Sequence, residues 1–284
     1  IQNRVPSGVP VRLRYGAPVK FRMKMKNVAQ YNRIVIKVGS AVIAQPNGKL
    51  NQEILAAICE DVAWLLKKDK EVLIVSSGAI ALGRKKIKTS SDLTLADSQA
   101  MAAHGQIELM SAWKRQLNKF SIPIGQMLLT PRDTEIKLAS QNAKQTVTKL
   151  IQTGCLPIIN ENDSTATDEI KFGDNDLLAA KVAKLVNADL LVILSTIDGL
   201  YTSQENIHSK KSDALITEVS KINAKIKKMA GEASHMGKGG MISKIEAAEI
   251  CLKNDCVMVI TSGNNKKPIK SLSKRKKSTW FMKK

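Results

Sequence analysis

Six short apolar runs, each followed by a stretch with another spacing, constrain this chain more than any other feature. They occupy residues 34–38, 72–75, 123–129, 157–159, 190–194 and 257–260. The first reads Ile-Val-Ile-Lys-Val, β-branched and too short for a helix, so it predicts a buried strand. Helical spacing follows over 51–66, 99–119, 140–152, 176–186 and 241–252, and another helix begins at 79–83. Strands alternating with helices predict an α/β fold with a largely parallel sheet. A polar loop is expected over 88–98, a turn over 130–133 and a polar excursion over 202–214.

The 284 residues suffice for one large domain or two small ones. Hydrophobic residues make up 43% and aromatics only 4%, so the core should be Ile, Leu, Val and Ala. No run approaches the ~18 apolar residues of a membrane-spanning helix. The net charge of +20 suggests a nucleic-acid partner until its distribution is considered. Residues 1–30 carry seven Lys or Arg and no acid, and residues 266–284 carry nine and no acid. The remainder holds 29 basic against 25 acidic groups. Residues 1–30 therefore read as a disordered basic extension, and 266–284 as tail or edge structure. Such tails can hold polyanions without specificity, in a salt-dependent way. Cys59, Cys155, Cys251 and Cys256 form no C-x-x-C pair and read as buried free thiols in a reducing, cytoplasmic compartment. His104, His208 and His235 have no metal-ligand spacing, and no metal ligands are assigned.

The run Pro157, Ile158, Ile159 ends in Asn160, Glu161, Asn162 and Asp163; Asp174, Asn175 and Asp176 follow after ten residues. Open α/β sheets place ligands where buried strands end. Amides and carboxylates suit a ligand carrying both an ammonium and a carboxylate. The same residue types are also common in turns and helix caps. Several strands end in small residues before a helix, as at Gly39-Ser40, Ser77-Gly78 and Ser262-Gly263, and Gly237 to Gly240 precedes another. Such turns let backbone N–H groups approach an anion. Lys37 lies in an apolar strand and needs an anion if buried. Lys244, in the first turn of its helix, opposes the helix dipole unless it faces one. Two lysines and several such turns suit a triphosphate. Neither a P-loop nor an H-R-D motif occurs, so the pattern favours direct phosphoryl transfer by positioning and charge neutralisation.

Seven segments, in order, resemble the glutamate 5-kinase family of the amino-acid kinase superfamily. They are I-V-I-K-V-G-S (34–40), S-S-G-A-I-A-L-G (76–83), G-Q-M-L-L-T (125–130), P-I-I-N-E-N-D (157–163), I-K-F-G-D-N-D (170–176), D-G-L-Y-T (198–202) and G-G-M-I-S-K (239–244). The resemblance implies an αβα sandwich over 31–284, with a glutamate-side lobe at about 31–165 and a nucleotide-side lobe at about 166–284. It implies ATP-dependent phosphorylation of the L-glutamate γ-carboxylate, the first step of proline synthesis. By the same analogy, Lys37 and Lys244 are catalytic. Ser77, Gly78, Asn160, Asp163, Asn175 and Asp176 hold glutamate. Lys37, Gly39, Ser40, Ser195, Thr196 and Lys238, Gly239, Gly240, Met241, Ile242, Ser243 and Lys244 line the nucleotide, with Mg²⁺ bridging its phosphates. Family members are typically proline-inhibited homo-oligomers, with glutamyl phosphate reductase as pathway partner; a membrane or specific nucleic-acid partner is not implied. Thr196 stands where members often carry Asp, and Lys238 where a small hydroxyl residue is usual. No counterpart of the C-terminal PUA domain of some members is expected. Competing readings are a kinase for N-acetylglutamate or aspartate, and a degenerate kinase that binds or regulates.

Overall fold

Strand β1 (Arg33–Val38) runs through the middle of the sheet, flanked by β2 (Glu71–Ser76) and β5 (Leu190–Ser195), both parallel to it. The structure, a computed structural model, describes residues 26–45, 47–84, 93–165, 174–203, 214–231, 240–274 and 277–283. With β3 (Ile124–Leu129), β4 (Leu156–Glu161), β8 (Glu218–Val219), β9 (Val257–Ser262) and β10 (Thr279–Phe281), the sheet has the order β3-β4-β2-β1-β5-β9-β10-β8. The pairings from β3 through β9 are parallel, and β10 is antiparallel to β9. A small pair, β6 (Leu200–Tyr201) and β7 (Leu215–Ile216), lies outside this sheet. Strands β1, β2, β4, β5 and β9 are buried on both faces, which explains why they read as unbroken apolar runs rather than alternating ones, whereas β3 at the edge is partly exposed.

Alternation along the strands divides the core into two layers. On one face Ile34, Ile36 and Val38 of β1 pack in a cluster with Leu55, Ile58 and Val62 of α2 (Gln52–Leu66) and Trp113 of α4 (Leu95–Asn118). The Trp113 indole donates to Ser76 Oγ at 3.0 Å. On the other face Val35 packs in a cluster with α7 (Asn175–Leu185) and α9 (Met241–Lys253). Helices therefore cover both sides of the sheet, an αβα sandwich.

Of the shorter helices, α1 (Ser40–Ile43) follows β1, α3 (Ala79–Gly83) follows β2, α5 (Pro131–Glu135) and α6 (Lys137–Gln152) follow β3, and α8 (Ala224–Met229) follows β8. Helices α3 and α4 cross backbone to backbone. A Cβ on Gly105 would lie 1.9 Å from the Ala79 carbonyl oxygen, so only glycine fits there.

Five expectations change. The long helix starts at Leu95, inside the expected polar loop, because Thr94 and Asp97 form a reciprocal capping box. The expected turn at 130–133 is the start of α5, with Pro131 in its first turn and a Thr130–Asp133 capping box. Of the expected basic extension, 1–30, residues 1–25 lie outside the described residues, whereas Val28–Gln30 form a 3₁₀ turn capped by Asn27, with Val28 buried. Within 266–284, Ile269, Leu272, Trp280 and Phe281 are buried, and β10 pairs with both β9 and β8. Asp61 of α2 anchors this segment, accepting from the N–H groups of Ile269 (2.7 Å) and Lys270 (2.9 Å). Cys59, Cys251 and Cys256 are buried as expected, whereas Cys155 is half-buried. No described helix is long and apolar enough to cross a membrane.

Candidate active site

Because β1, β2, β4, β5 and β9 are parallel, their carboxyl ends share one edge of the sheet, and the candidate residues gather there. Alternation turns Lys37 to the same face as Val35, toward α7 and α9. Its ammonium, on a side chain 7% exposed, meets Asp176 Oδ1 as an ion pair at 2.5 Å. Lys244 reaches the same carboxylate from α9, donating to Oδ2 at 2.9 Å, with the Gly240 carbonyl at 3.3 Å. Asp176, in the first turn of α7, is fully buried and bridges the two lysines. Burial alone would raise its carboxyl, but Lys37 and Lys244 outweigh that and hold it at about 2. Asp174 caps α7, lies 3.9 Å from Lys37 and accepts from Ser243 Oγ. Burial first, and then the Asp176 charge, push the Asp174 carboxyl up. Two cations and two anions thus meet at one point, fixed to a central strand and two helix N-termini.

A chain of amides lies next to this cluster. Asn160 shares the face of β4 that carries Leu156 and Ile158, and its Nδ2 donates to Gln106 Oε1 of α4 at 2.9 Å. Asn160 Oδ1 accepts from the Glu161 N–H at 2.9 Å and from Asn175 Nδ2 at 3.0 Å. Asn175 Nδ2 also donates to Ser77 Oγ at 2.9 Å. Both hydrogens of that amide are therefore used. Its Oδ1 is buried and has no hydrogen-bond partner among the described residues. A buried acceptor left open beside a cationic cluster is suited to a donor on a ligand. Gly78, with φ of +113°, turns the chain from β2 into α3; a Cβ there would come within 2.7 Å of Ile43 Cγ2.

Asp163 lies half-buried just beyond β4. Gly39 caps α1 and donates its N–H to the Leu194 carbonyl at 3.2 Å, joining the ends of β1 and β5, and Ser40 is exposed. Ser195 ends β5 half-buried and Thr196 is exposed after it. Gly240 caps α9 without a side-chain hydrogen bond, leaving a helix N-terminus at Met241, Ile242 and Ser243 suited to an anion. Lys238 and Gly239 lie outside the described residues. Among the described residues no cluster of three or more His, Cys, Asp or Glu forms a metal site. Sequence reasoning passed over Gln106, whose only signal is a polar residue on the inner side of α4. It also left Asp174 out of the site, although the residue stood in the acidic cluster.

Residues 32–262 match the model of the amino acid kinase family. The chain is 45% identical to a glutamate 5-kinase of Rhizobium etli over 90% of its length and 46% identical to one of Agrobacterium fabrum. It spans 66% of the length of both. A Pelagibacter ubique glutamate 5-kinase is 45% identical, with 68% of its length covered. The UMP kinase of Ureaplasma parvum matches in fold, with a TM-score of 0.63 at 18% identity, over 89% of this chain and 99% of that one.

Proposed function

We propose, since the chain belongs to the amino acid kinase family, that it transfers the γ-phosphoryl group of ATP to the γ-carboxylate of L-glutamate. The observation that carries this reading is the pair of buried lysines held on one aspartate, with Asn175 next to that aspartate in the chain and its amide oxygen open. The glutamate 5-kinases that it resembles support the choice of substrate.

A glutamate carboxylate is ionised at neutral pH, so no base is required. One of its oxygens attacks the γ-phosphorus, the bond to the β,γ-bridging oxygen breaks, and the electron pair leaves with ADP. The product is an acyl phosphate. Charge accumulates on the phosphoryl oxygens and on the leaving oxygen. Lys37 faces that charge from β1 and Lys244 from α9, and Asp176 holds both ammonium groups in place beforehand. Preorganised cations of this kind stabilise the transition state without rearrangement during the reaction. The N-terminus of α9 and the turns at Gly39-Ser40 and Gly78 receive phosphate oxygens. The open Asn175 oxygen accepts from the α-ammonium, with Asp163 supplying its counter-charge. Ser195, Thr196 and Lys238 to Ser243 line the nucleotide. In this reading glutamate lies mainly against the lobe of about 31–165, with Asn175 contributed by the other, and the nucleotide mainly against that of about 166–284, with the Gly39-Ser40 and Gly78 turns reaching its phosphates.

Mg²⁺ bound with ATP would neutralise phosphate charge, and Asp174 would be the carboxylate available to it, because Asp176 is committed to the lysines. The enzyme acts as a homo-oligomer, and the labile acyl phosphate suits a reductase as pathway partner. Three buried free thiols suit a reducing compartment such as the cytoplasm.

The test is ADP release with Mg-ATP in the presence of hydroxylamine, which traps acyl phosphates as hydroxamates. Glutamate, N-acetylglutamate and aspartate are compared. Hydroxamate formed with glutamate alone supports the reading. Turnover with N-acetylglutamate alone, or with none of the three from folded protein, overturns it.

A further inference from the structure

We infer that Gln106 is a positioning residue for the amino-acid substrate, acting through Asn160 and Asn175 from the opposite face of the sheet. The inference rests on the reading of the site just given. It starts from how few choices the amide chain has. Asn160 Oδ1 receives two donors, the Glu161 N–H and Asn175 Nδ2, so its Nδ2 must point the other way. There the acceptor is Gln106 Oε1, on a residue only 8% exposed. Asn175 in turn spends both hydrogens on Asn160 and Ser77. Its oxygen is left buried with no hydrogen-bond partner among the described residues. Gln106 thus closes the far end of a chain whose near end is the acceptor offered to the substrate.

The backbone supports this role. Gln106 follows Gly105, the glycine at which α4 lies against α3 with no room for a Cβ. Helix α3 begins directly after Ser77 and Gly78. The helix crossing therefore fixes Gln106 relative to the Ser77 turn, and the amides connect the same two points through side chains. Without an acceptor at 106, Asn160 Nδ2 becomes an unpaired buried donor. Rotating that amide to relieve it would set donor against donor at Glu161 and Asn175. Either response displaces the Asn175 oxygen, and neither reaches Lys37, Lys244 or the nucleotide side.

The experiment compares wild type, Gln106→Leu and Gln106→Glu, with the hydroxamate assay as readout and glutarate as a competitive inhibitor that lacks the ammonium. Gln106→Leu should raise the KM for glutamate about tenfold, the effect of one displaced hydrogen bond to a charged group, at little change in kcat. The KM for ATP and the inhibition constant of glutarate should stay at wild-type values. Gln106→Glu keeps an acceptor oxygen at the same reach and should restore most of the glutamate KM. If Gln106→Leu fails to fold, Gln106→Met takes its place. The inference is overturned if the glutamate KM does not move, or if glutarate and ATP weaken by the same factor, which marks a merely structural side chain. A wild type without glutamate-dependent hydroxamate would instead refute the proposed reaction.

Discussion

Removing the carboxylate of Asp176 is the sharpest test of the charge cluster. The group is fully buried and is shared by two lysine side chains that are each 7% exposed. Asp176→Ala leaves two buried ammonium groups, with Asp174 3.9 Å from one of them as the remaining anion. Breaking a buried pair from one side destabilises by about 3–5 kcal/mol. For a domain of this size that is roughly 6–20 °C in Tm. Asp176→Asn keeps the shape and loses the charge. Its effect follows from the shift of the carboxyl from 3.8 to about 2, worth about 2 kcal/mol. The folded value is depressed, so this contribution is fully present above pH 3.8 and is lost as pH falls toward 2. Asp174, raised by burial, acts in the opposite sense: its protonation on acidification favours the fold. Urea unfolding at pH 7 and between pH 4 and 2 reads both effects. The wild type should lose its advantage over Asp176→Asn across the acid range, and ATP should narrow the gap at pH 7 by supplying an anion. A Tm for Asp176→Ala within about 2 °C of wild type, less than a single kcal/mol, would refute the reasoning.

Lys244→Ala should lower kcat about 10²–10³-fold, the usual effect of losing one preorganised transition-state partner; a change of only a few-fold would remove it from the chemistry. Asp163→Ala should raise the KM for glutamate about tenfold or more, as for a lost charged contact, and leave the KM for ATP unchanged; parallel losses of both would place the residue elsewhere. Gly105→Ala forces a Cβ against the Ala79 carbonyl oxygen, so chemical unfolding should show a loss of about 3 kcal/mol or more; a near-neutral effect would contradict the close crossing of α3 and α4.

The central strands were legible because parallel strands buried on both faces need β-branched runs, and Arg33–Val38 and Leu190–Ser195 carry them. The first turn of α4 was not, because its signal is a capping box of two polar residues in a polar window. Strand β10 was hidden as well: Trp280 and Phe281 are a brief apolar island among lysines, and only pairing with β9 and β8 buries them. At the site, a lysine in an apolar strand demanded an anion. The anion in the structure is Asp176, supplied by the protein itself. That pairing joins distant parts of the chain, and local pattern has no access to it. Gln106 lay further out of reach, since its meaning comes from one hydrogen bond across two layers.

The position of β1 also bears on how the molecule assembles. Strands β3, β4, β2 and β1 all come from residues 33–161, whereas β5, β8, β9 and β10 come from residues 190–281. A nascent chain can lay down the first group alone, with one edge of β1 open. Lys37 then has no Asp176 beside it. Docking of β5 closes that edge, and α7, just before β5 in sequence, brings the carboxylate. Sheet closure and charge pairing therefore both depend on contacts distant in sequence, of the kind that makes long-range parallel topologies slow to fold. The seam between the two halves of the sheet and the charge cluster of the site meet at the same lysine.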